Sequence, residues 1–395
     1  LSVHHILLLL IIGYIVFSID KKQEYFPVPT VLVLIGITLS PISYFANISI
    51  TKDLIFHVFL PALLFISAYQ FPTMAWKKYK YIIGGLGTIG LLLTIAIFGG
   101  FVYLIGNLFI QISIIAALLI AAILSPTDPV SVIAILKKSS SDRNTADIVE
   151  GESLLNDGTS IVVFGVLLSM LTQGTTFSLS GFVSEFLLVS LGGVAIGIAF
   201  GWLMSKAVHY TDHRQYQVML SIIVAYGSFY LGELMDVSGV LSTVTAGMML
   251  SYEFGKNIKE DHFRDQLDGF WGIIEPTILS IIFLLIGIQS ARYLVFSEWQ
   301  LAILLFLGSL IVRFLVITAM TQFHSTWKTY MSLRECAVIA WTGIKGTMSV
   351  ALVLGFEAAT DKSSEFISII FVVILLSLVI QSASVYPLVK RLKGS

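Results

Sequence analysis

Two stretches of this 395-residue chain hold side chains that their surroundings do not invite. "EGESLLNDGTSIV", Glu150 to Val162, places Glu152, Ser153, Asn156 and Asp157 at the head of an apolar run. "ILSPTDPVSV", Ile123 to Val132, sets Thr127 and Asp128 between two prolines. On a helix, residues three and four apart share a face. Glu152, Ser153, Asn156 and Asp157 then form one polar stripe, with Leu154 and Leu155 on the other side. A charged side chain at the centre of a bilayer costs about 2.5–3.5 kcal/mol on insertion scales, and such groups mark ion or proton paths. Oxygen ligands alone suit a hard monovalent cation such as Na+. With no Cys or His nearby, they do not suit zinc. A blander reading has Glu150 and Glu152 open a helix whose dipole favours acids, and Asp128 cap a second half-helix. It leaves Asp157, nearly two turns further in, without a role.

The elements that must position these groups are membrane helices. The chain is 56% hydrophobic and 12% charged, with mean hydropathy +0.92. An average soluble domain carries about 25% charge. The formal net charge of −1 gives no reason to expect nucleic acid as a partner, and a lone cysteine, Cys336, excludes a disulfide framework or a cysteine metal cluster. Leu1 to Ile19 is apolar enough for a signal peptide, but "DKKQEYFPVP" follows in place of a small-residue cleavage site, so a retained first helix is expected.

With about 20 apolar residues needed per crossing, the sequence predicts an all-α membrane protein of thirteen spans. They run near 1–19, 27–45, 53–70, 81–107, 110–136, 147–172, 179–208, 215–235, 238–253, 268–291, 299–320, 334–356 and 364–388. Eighteen of the 23 Lys and Arg residues fall in the odd-numbered connections and the C-terminal tail. Three (Lys52, Arg292, Lys362) fall in the even-numbered connections, and Arg313 and Lys345 lie inside spans. The positive-inside rule then places the N-terminus outside and the C-terminus in the cytoplasm.

Pro126 and Pro129 remove backbone donors and disfavour the helical region for the residues before them, so the fifth span is predicted to break at Thr127 and Asp128. "WTGIKGTMS", Trp341 to Ser349, is the weak point of the twelfth, with Gly343 and Gly346 flanking Lys345. Spans seven apart run in opposite directions. Two broken helices in matching positions of two inverted six-helix units, joined by a linking helix, is the pattern of an inverted-repeat transporter. Lys345 is then expected to brace half-helix ends electrostatically, not to coordinate an ion.

"SPTDPV" followed by "GESLLNDGTSIV" resembles the first type of monovalent cation:proton antiporter, a family shared by bacterial sodium/proton antiporters and animal sodium/proton exchangers. "FLPALLFISAY" (Phe59 to Tyr69), "FLLIGI" (Phe283 to Ile288) and "TGIKGTMSVAL" (Thr342 to Leu352) extend the match along the chain in the expected order. The resemblance implies a homodimer in the cell membrane, in contact with lipid and without a cofactor, that exchanges Na+, Li+ or K+ for H+. It implies a single transmembrane domain, 1–395, with a dimerisation panel (1–70 and 215–291), an ion-carrying core (81–172 and 299–388) and a linking helix (179–208). By motif, Asp157 is the carboxylate for which cation and proton compete, with Thr127, Asp128 and Ser153 also lining the site. Asn156 belongs to the Asn-Asp pair, Glu152 holds it, and Arg313 is a structural partner in the core. Asn156 is neutral where electrogenic relatives carry a second Asp, so electroneutral 1:1 exchange is expected. The match departs at Ile66, where many bacterial members carry an acid, and at Lys345, where they usually carry Arg. The alternative is a passive cation channel or ion-sensing receptor on the same scaffold. An aspartyl protease built on Asp128 and Asp157 fits poorly, because its two acids must share a proton on facing helices.

Overall fold

In a computed structural model, the described residues are 3–19, 27–46, 48, 50–128, 133, 143–174, 177–207, 214–254, 261–294, 298–323, 325–328, 330–360, 364–385 and 388. Every regular element among them is helical. The longer ones, in chain order, are α1 (Val3–Ile19), α2 (Val28–Leu39), α3 (Leu54–Gln70), α4 (Thr73–Gly106), α5 (Ile114–Leu124), α6 (Arg143–Gln173), α7 (Leu179–Ala207), α8 (Arg214–Leu234), α9 (Gly239–Phe254), α10 (Asp261–Ser290), α11 (Trp299–Phe323), α12 (Leu333–Trp341), α13 (Thr347–Ala359) and α14 (Phe366–Val385). Pro129 and many of the basic loop residues behind the predicted orientation, among them Lys21, Lys22, Lys137, Lys138, Lys256, Lys259, Lys362 and the C-terminal tail, lie outside the described residues.

Seven described helices are long and apolar enough to cross a membrane. They fall on the predicted spans four, six, seven, eight, ten, eleven and thirteen. The helices at the first, second, third and fifth positions are shorter apolar ones, and α9 occupies the ninth. The fourth begins at Thr73, eight residues before the predicted start. "TMAWKKYK" is too basic for a hydropathy ruler, yet its lysines lie over aromatic rings (Lys78 over Tyr79, Lys80 over Tyr81) and the helix simply continues.

The fifth and twelfth positions hold half-length helices. α5 is opened by Ser113, whose Oγ accepts from Ala116 N at 3.2 Å, and it stops after eleven residues at Leu124, just before Pro126. At 1.5 Å per residue that is about 16 Å, half a bilayer core. The twelfth position is split by a non-helical stretch after Trp341 into α12 and α13.

Two sets of helices pack mainly among themselves. One contains α1, α2, α3, α8, α9 and α10; the other contains α4, α5, α6 and α11 to α14. α7 lies on α8 and α9 and also touches α6. The sets meet where α3 and α9 lie on α6 and where α10 touches α13 and α14. Glycines allow the closest approaches. A Cβ on Gly36 of α2 would fall 2.3 Å from the Leu284 carbonyl of α10, and one on Gly287 would fall 2.2 Å from the Val33 carbonyl. Many large apolar residues face outward, including Leu7, Ile11 and Ile15 on α1 and Leu188, Leu191 and Leu203 on α7. On a chain of this hydropathy, that surface is where lipid sits.

Candidate ion site

The two interrupted positions meet, and one backbone hydrogen bond joins them: Asp128 N donates to the Ile344 carbonyl at 2.7 Å. Unwound backbone inside a membrane protein must find partners in protein or water, and here each break supplies one for the other. The Asp128 carboxylate then reaches the N-terminal end of α13. Its Oδ2 accepts from Thr347 N at 3.4 Å and from Thr347 Oγ1 at 3.3 Å. The capping role considered for Asp128 is therefore exercised on the half-helix of the opposite break. A helix N-terminus carries partial positive charge, so an acid belongs there. Gly346 lets Asp128 in, since an added Cβ would lie 2.3 Å from Asp128 Cβ.

α14 completes the second break. The Lys345 N–H donates to Ser377 Oγ at 2.8 Å, Ser377 Oγ donates to Gln381 Oε1, and Gln381 Nε2 donates to the Trp341 carbonyl at 2.7 Å. These two side chains, which sequence reasoning missed, bind the backbone that the break frees. The one cue was an amide, Gln381, in an otherwise apolar last span. Both sit where α14 widens into an i→i+5 turn (Ser377–Gln381), a distortion common at functional positions.

α6 presents the polar stripe to this junction. Ser153 Oγ donates to the Thr127 carbonyl. Asn156 Nδ2 donates to Thr127 Oγ1 at 2.9 Å and to Glu152 Oε1 at 3.1 Å. Glu152 in turn receives a two-pronged contact from Arg313 of α11, at 3.2 Å from Nη1 to Oε1 and 2.8 Å from Nη2 to Oε2. This fork-to-fork pair is buried on both sides. Arg313 lies against Gly343, where a Cβ would stand 2.5 Å from its Nε. α4 comes up behind the stripe: a Cβ on Gly87 would meet Leu155 Cβ at 2.7 Å and the Glu152 carbonyl at 3.1 Å. Gly87 too lies in a widened turn, Gly85–Gly90.

The eight sequence-predicted residues thus gather at one junction. Thr127, Ser153, Asn156, Glu152 and Arg313 form one hydrogen-bonded chain, Asp128 joins the two breaks, and Lys345 takes part through its backbone N–H. Lys345 is buried, at 2% exposure, and lies within electrostatic range of Arg313 and Glu152. Asp157 differs from its neighbours. It keeps partial exposure, while its Oδ1, like Asn156 Oδ1, is buried and without a hydrogen-bond partner. Leaving such an atom unsatisfied costs about 1–3 kcal/mol. The carboxylate is therefore the group at the junction that gains most from a proton or a small cation. Ile66 packs with Phe65, Tyr69 and Trp271 at 1% exposure, so the third span offers no polar group at that position.

The described residues make an all-helical, multi-pass membrane protein in which Asn156 and Asp157 lie beside two chain breaks joined by a backbone hydrogen bond. The chain belongs to the family described as "Sodium/hydrogen exchanger, transmembrane", which it matches over residues 6–391. The Na+/H+ antiporter NhaP of Pseudomonas aeruginosa is 32% identical over a stretch covering 85% of this chain and 80% of the relative. The Na+/H+ antiporter NhaH of Halobacillus aidingensis is 27% identical, covering 98% and 97%. The solved structure of the sodium proton antiporter MjNhaP1 from Methanocaldococcus jannaschii matches with a TM-score of 0.78 at 19% identity, covering 100% of this chain and 99% of that one. At that identity the likeness speaks for the fold.

Proposed function

We propose that this protein exchanges Na+ for H+ across the cell membrane by alternating access, with both ions competing for Asp157. The observation that carries the reading is the unpartnered carboxylate oxygen Asp157 Oδ1 beside a set, Thr127, Ser153, Asn156, Glu152 and Arg313, that is hydrogen-bonded together. A single carboxylate is neutralised by a proton or by a cation, not by both at once, and that exclusion couples the two fluxes. Thr127 and Ser153 supply further oxygens, while Asn156 and Glu152 fix the geometry. Asp128 acts chiefly through the N-terminal end of α13.

The set α4–α6 with α11–α14 is the moving, ion-carrying unit. The set α1–α3 with α8–α10 is the static unit and the homodimer contact, and α7 links them. The full count is thirteen spans in two inverted repeats, with the C-terminus in the cytoplasm.

The test is an Na+ gradient imposed on proteoliposomes holding the purified protein. Protons should move uphill in response, and Asp157→Asn should abolish the movement. A channel on the same scaffold would pass Na+ without driving protons, and a receptor would pass neither.

A further inference from the structure

α10 ends in a short turn, Ala291–Tyr293, that ties the two helix sets together far from the junction. Tyr293 Oη donates to Glu357 Oε1 of α13 at 2.7 Å. The Tyr293 ring stacks on Phe371 of α14, with centroids 4.7 Å apart and planes 3° from parallel. The same turn is held to the segment before α3, where Arg292 Nη2 donates to the Ile48 carbonyl at 3.1 Å. Glu357 stands ten residues beyond Thr347 on one helix, or about 15 Å along its axis. That is half the thickness of a bilayer core, so with the two breaks at the midplane of the proposed transporter the contact lies at the membrane surface on the side where α13 ends. In the thirteen-span order, α6, α10 and the split twelfth position run in the same direction, so this is also the side toward which α6 runs past Asp157.

On that side of Asp157, α6 and α9 pack closely. A Cβ on Gly158 would lie 2.4 Å from Leu241 Cδ2 of α9, and Leu241 packs with Val162 and Val166 of α6 in one apolar cluster. Beneath the Tyr293–Glu357 contact, Gln289 and Ser290 are buried at 5% and 0% exposure, and Gln289 Oε1 and Ser290 Oγ have no hydrogen-bond partner. A closed joint over unsatisfied oxygens gains hydration when it opens. Against that gain stand the bond from Tyr293 to the Glu357 carboxylate and a second side-chain bond between Tyr293 and Gln289.

We propose that Tyr293 and Glu357 form the gate of this face, a latch between α10 and α13 that is closed here and releases when the ion site turns to the other side. The proposal rests on the alternating-access reading above. In it, the latch sets how much of the population faces each way, and an ion arriving at the closed face meets an affinity lowered by the fraction of molecules in the competent state.

The reporter is Ser290→Cys in a Cys336→Ser background, labelled by a membrane-impermeant thiol reagent applied to the Tyr293 face of oriented proteoliposomes. Labelling should be slow with the latch intact. Tyr293→Phe, which keeps the stack on Phe371, and Glu357→Leu, which leaves no acceptor, should each speed it about tenfold, the scale of one hydrogen bond to a charged group. The double variant should be no faster than either single one, because both remove the same contact. In exchange assays, apparent Na+ affinity should rise at the Tyr293 face and fall at the opposite face. Unchanged labelling in both variants, additive acceleration, or equal affinity changes at both faces would overturn the latch. Labelling does not require transport. If the unmutated protein failed to couple Na+ to protons while the labelling response stood, the exchange reading would fall and the latch would not.

Discussion

Asp157, the residue the ion is expected to meet, is held least. Asn156, Ser153 and Thr127 are tied to one another, and Glu152 is tied to Arg313. Replacing Asp157 by Asn keeps the shape and removes the charge. Na+-driven proton movement should disappear while thermal unfolding of the purified protein stays within about 1 kcal/mol, the range of a site away from a buried network. The Glu152–Arg313 pair should behave in the opposite way. Each partner is nearly inaccessible to water, so Arg313→Ala or Glu152→Ala leaves a buried charge uncompensated. Loss of about 3–5 kcal/mol is expected for either. Changing both together should cost less than the two single losses combined, and a double-mutant cycle in thermal unfolding reads the difference. Lys345 belongs with the structural group. Lys345→Met should lower thermal stability and lose transport through a loosened core, and Lys345→Arg should be nearly neutral in both assays. A Lys345→Met protein as stable as its parent, with a tenfold change in apparent Na+ affinity, would place Lys345 in the ion site.

At the scale of elements, the site depends on glycines that admit neighbouring chains. Gly346→Ala would put a methyl group 2.3 Å from Asp128 Cβ, at the joint between the two breaks. The neighbour is a short side chain on unwound backbone that itself bonds to Ile344, so it cannot simply rotate away. We expect a loss of about 1–3 kcal/mol from overpacking, read as a lowered unfolding temperature, together with lost exchange. Gly100 on α4, with nothing within 4 Å of its would-be Cβ, is the matched control and should accept Ala. The breaks themselves were legible in the sequence, because Pro126 and the Gly343–Gly346 pair act on their own backbone. The polar stripe of α6 was legible from its three- and four-residue spacing. What the sequence does not show is which group on a distant helix answers each break. Gln381 reaches Trp341 across 40 residues and Asp128 reaches Thr347 across 219. Such pairings are set by how helices lie against one another, and no local period records them. The early start of α4 was missed for a related reason. Hydropathy counts its lysines as polar, although three of them, Lys77, Lys78 and Lys80, lie over the rings of Tyr252, Tyr79 and Tyr81.

For the whole molecule, the charges at the junction bear on what one transport cycle moves across the membrane. Arg313 and Glu152 cancel as a bonded pair. With Lys345 protonated, its charge offsets that of Asp128, which is engaged with the end of α13. Asp157 is the carboxylate left over at the junction, and its neighbour Asn156 cannot ionise. On the proposed cycle, the unit that moves would carry a neutral site in either direction, as Asp157 with Na+ or as Asp157 with H+. A loaded site of zero net charge also avoids the desolvation cost of moving a bare carboxylate through a closed, dry interface. Exchange should therefore be one cation for one proton, with no net current. In proteoliposomes clamped with a potassium diffusion potential, the initial rate of Na+-driven proton movement should be the same at −100 mV as at zero. For each elementary charge moved, 100 mV would contribute about 2.3 kcal/mol, so a voltage-coupled cycle would change its driving force visibly. Asn156→Asp adds a second ionisable group beside the first. If it also binds a proton in each cycle, a current should appear on a solid-supported membrane where the parent gives none. A steady current from the parent that reverses with voltage would mean that a second charge travels with Asp157, and the one-carboxylate cycle would be wrong.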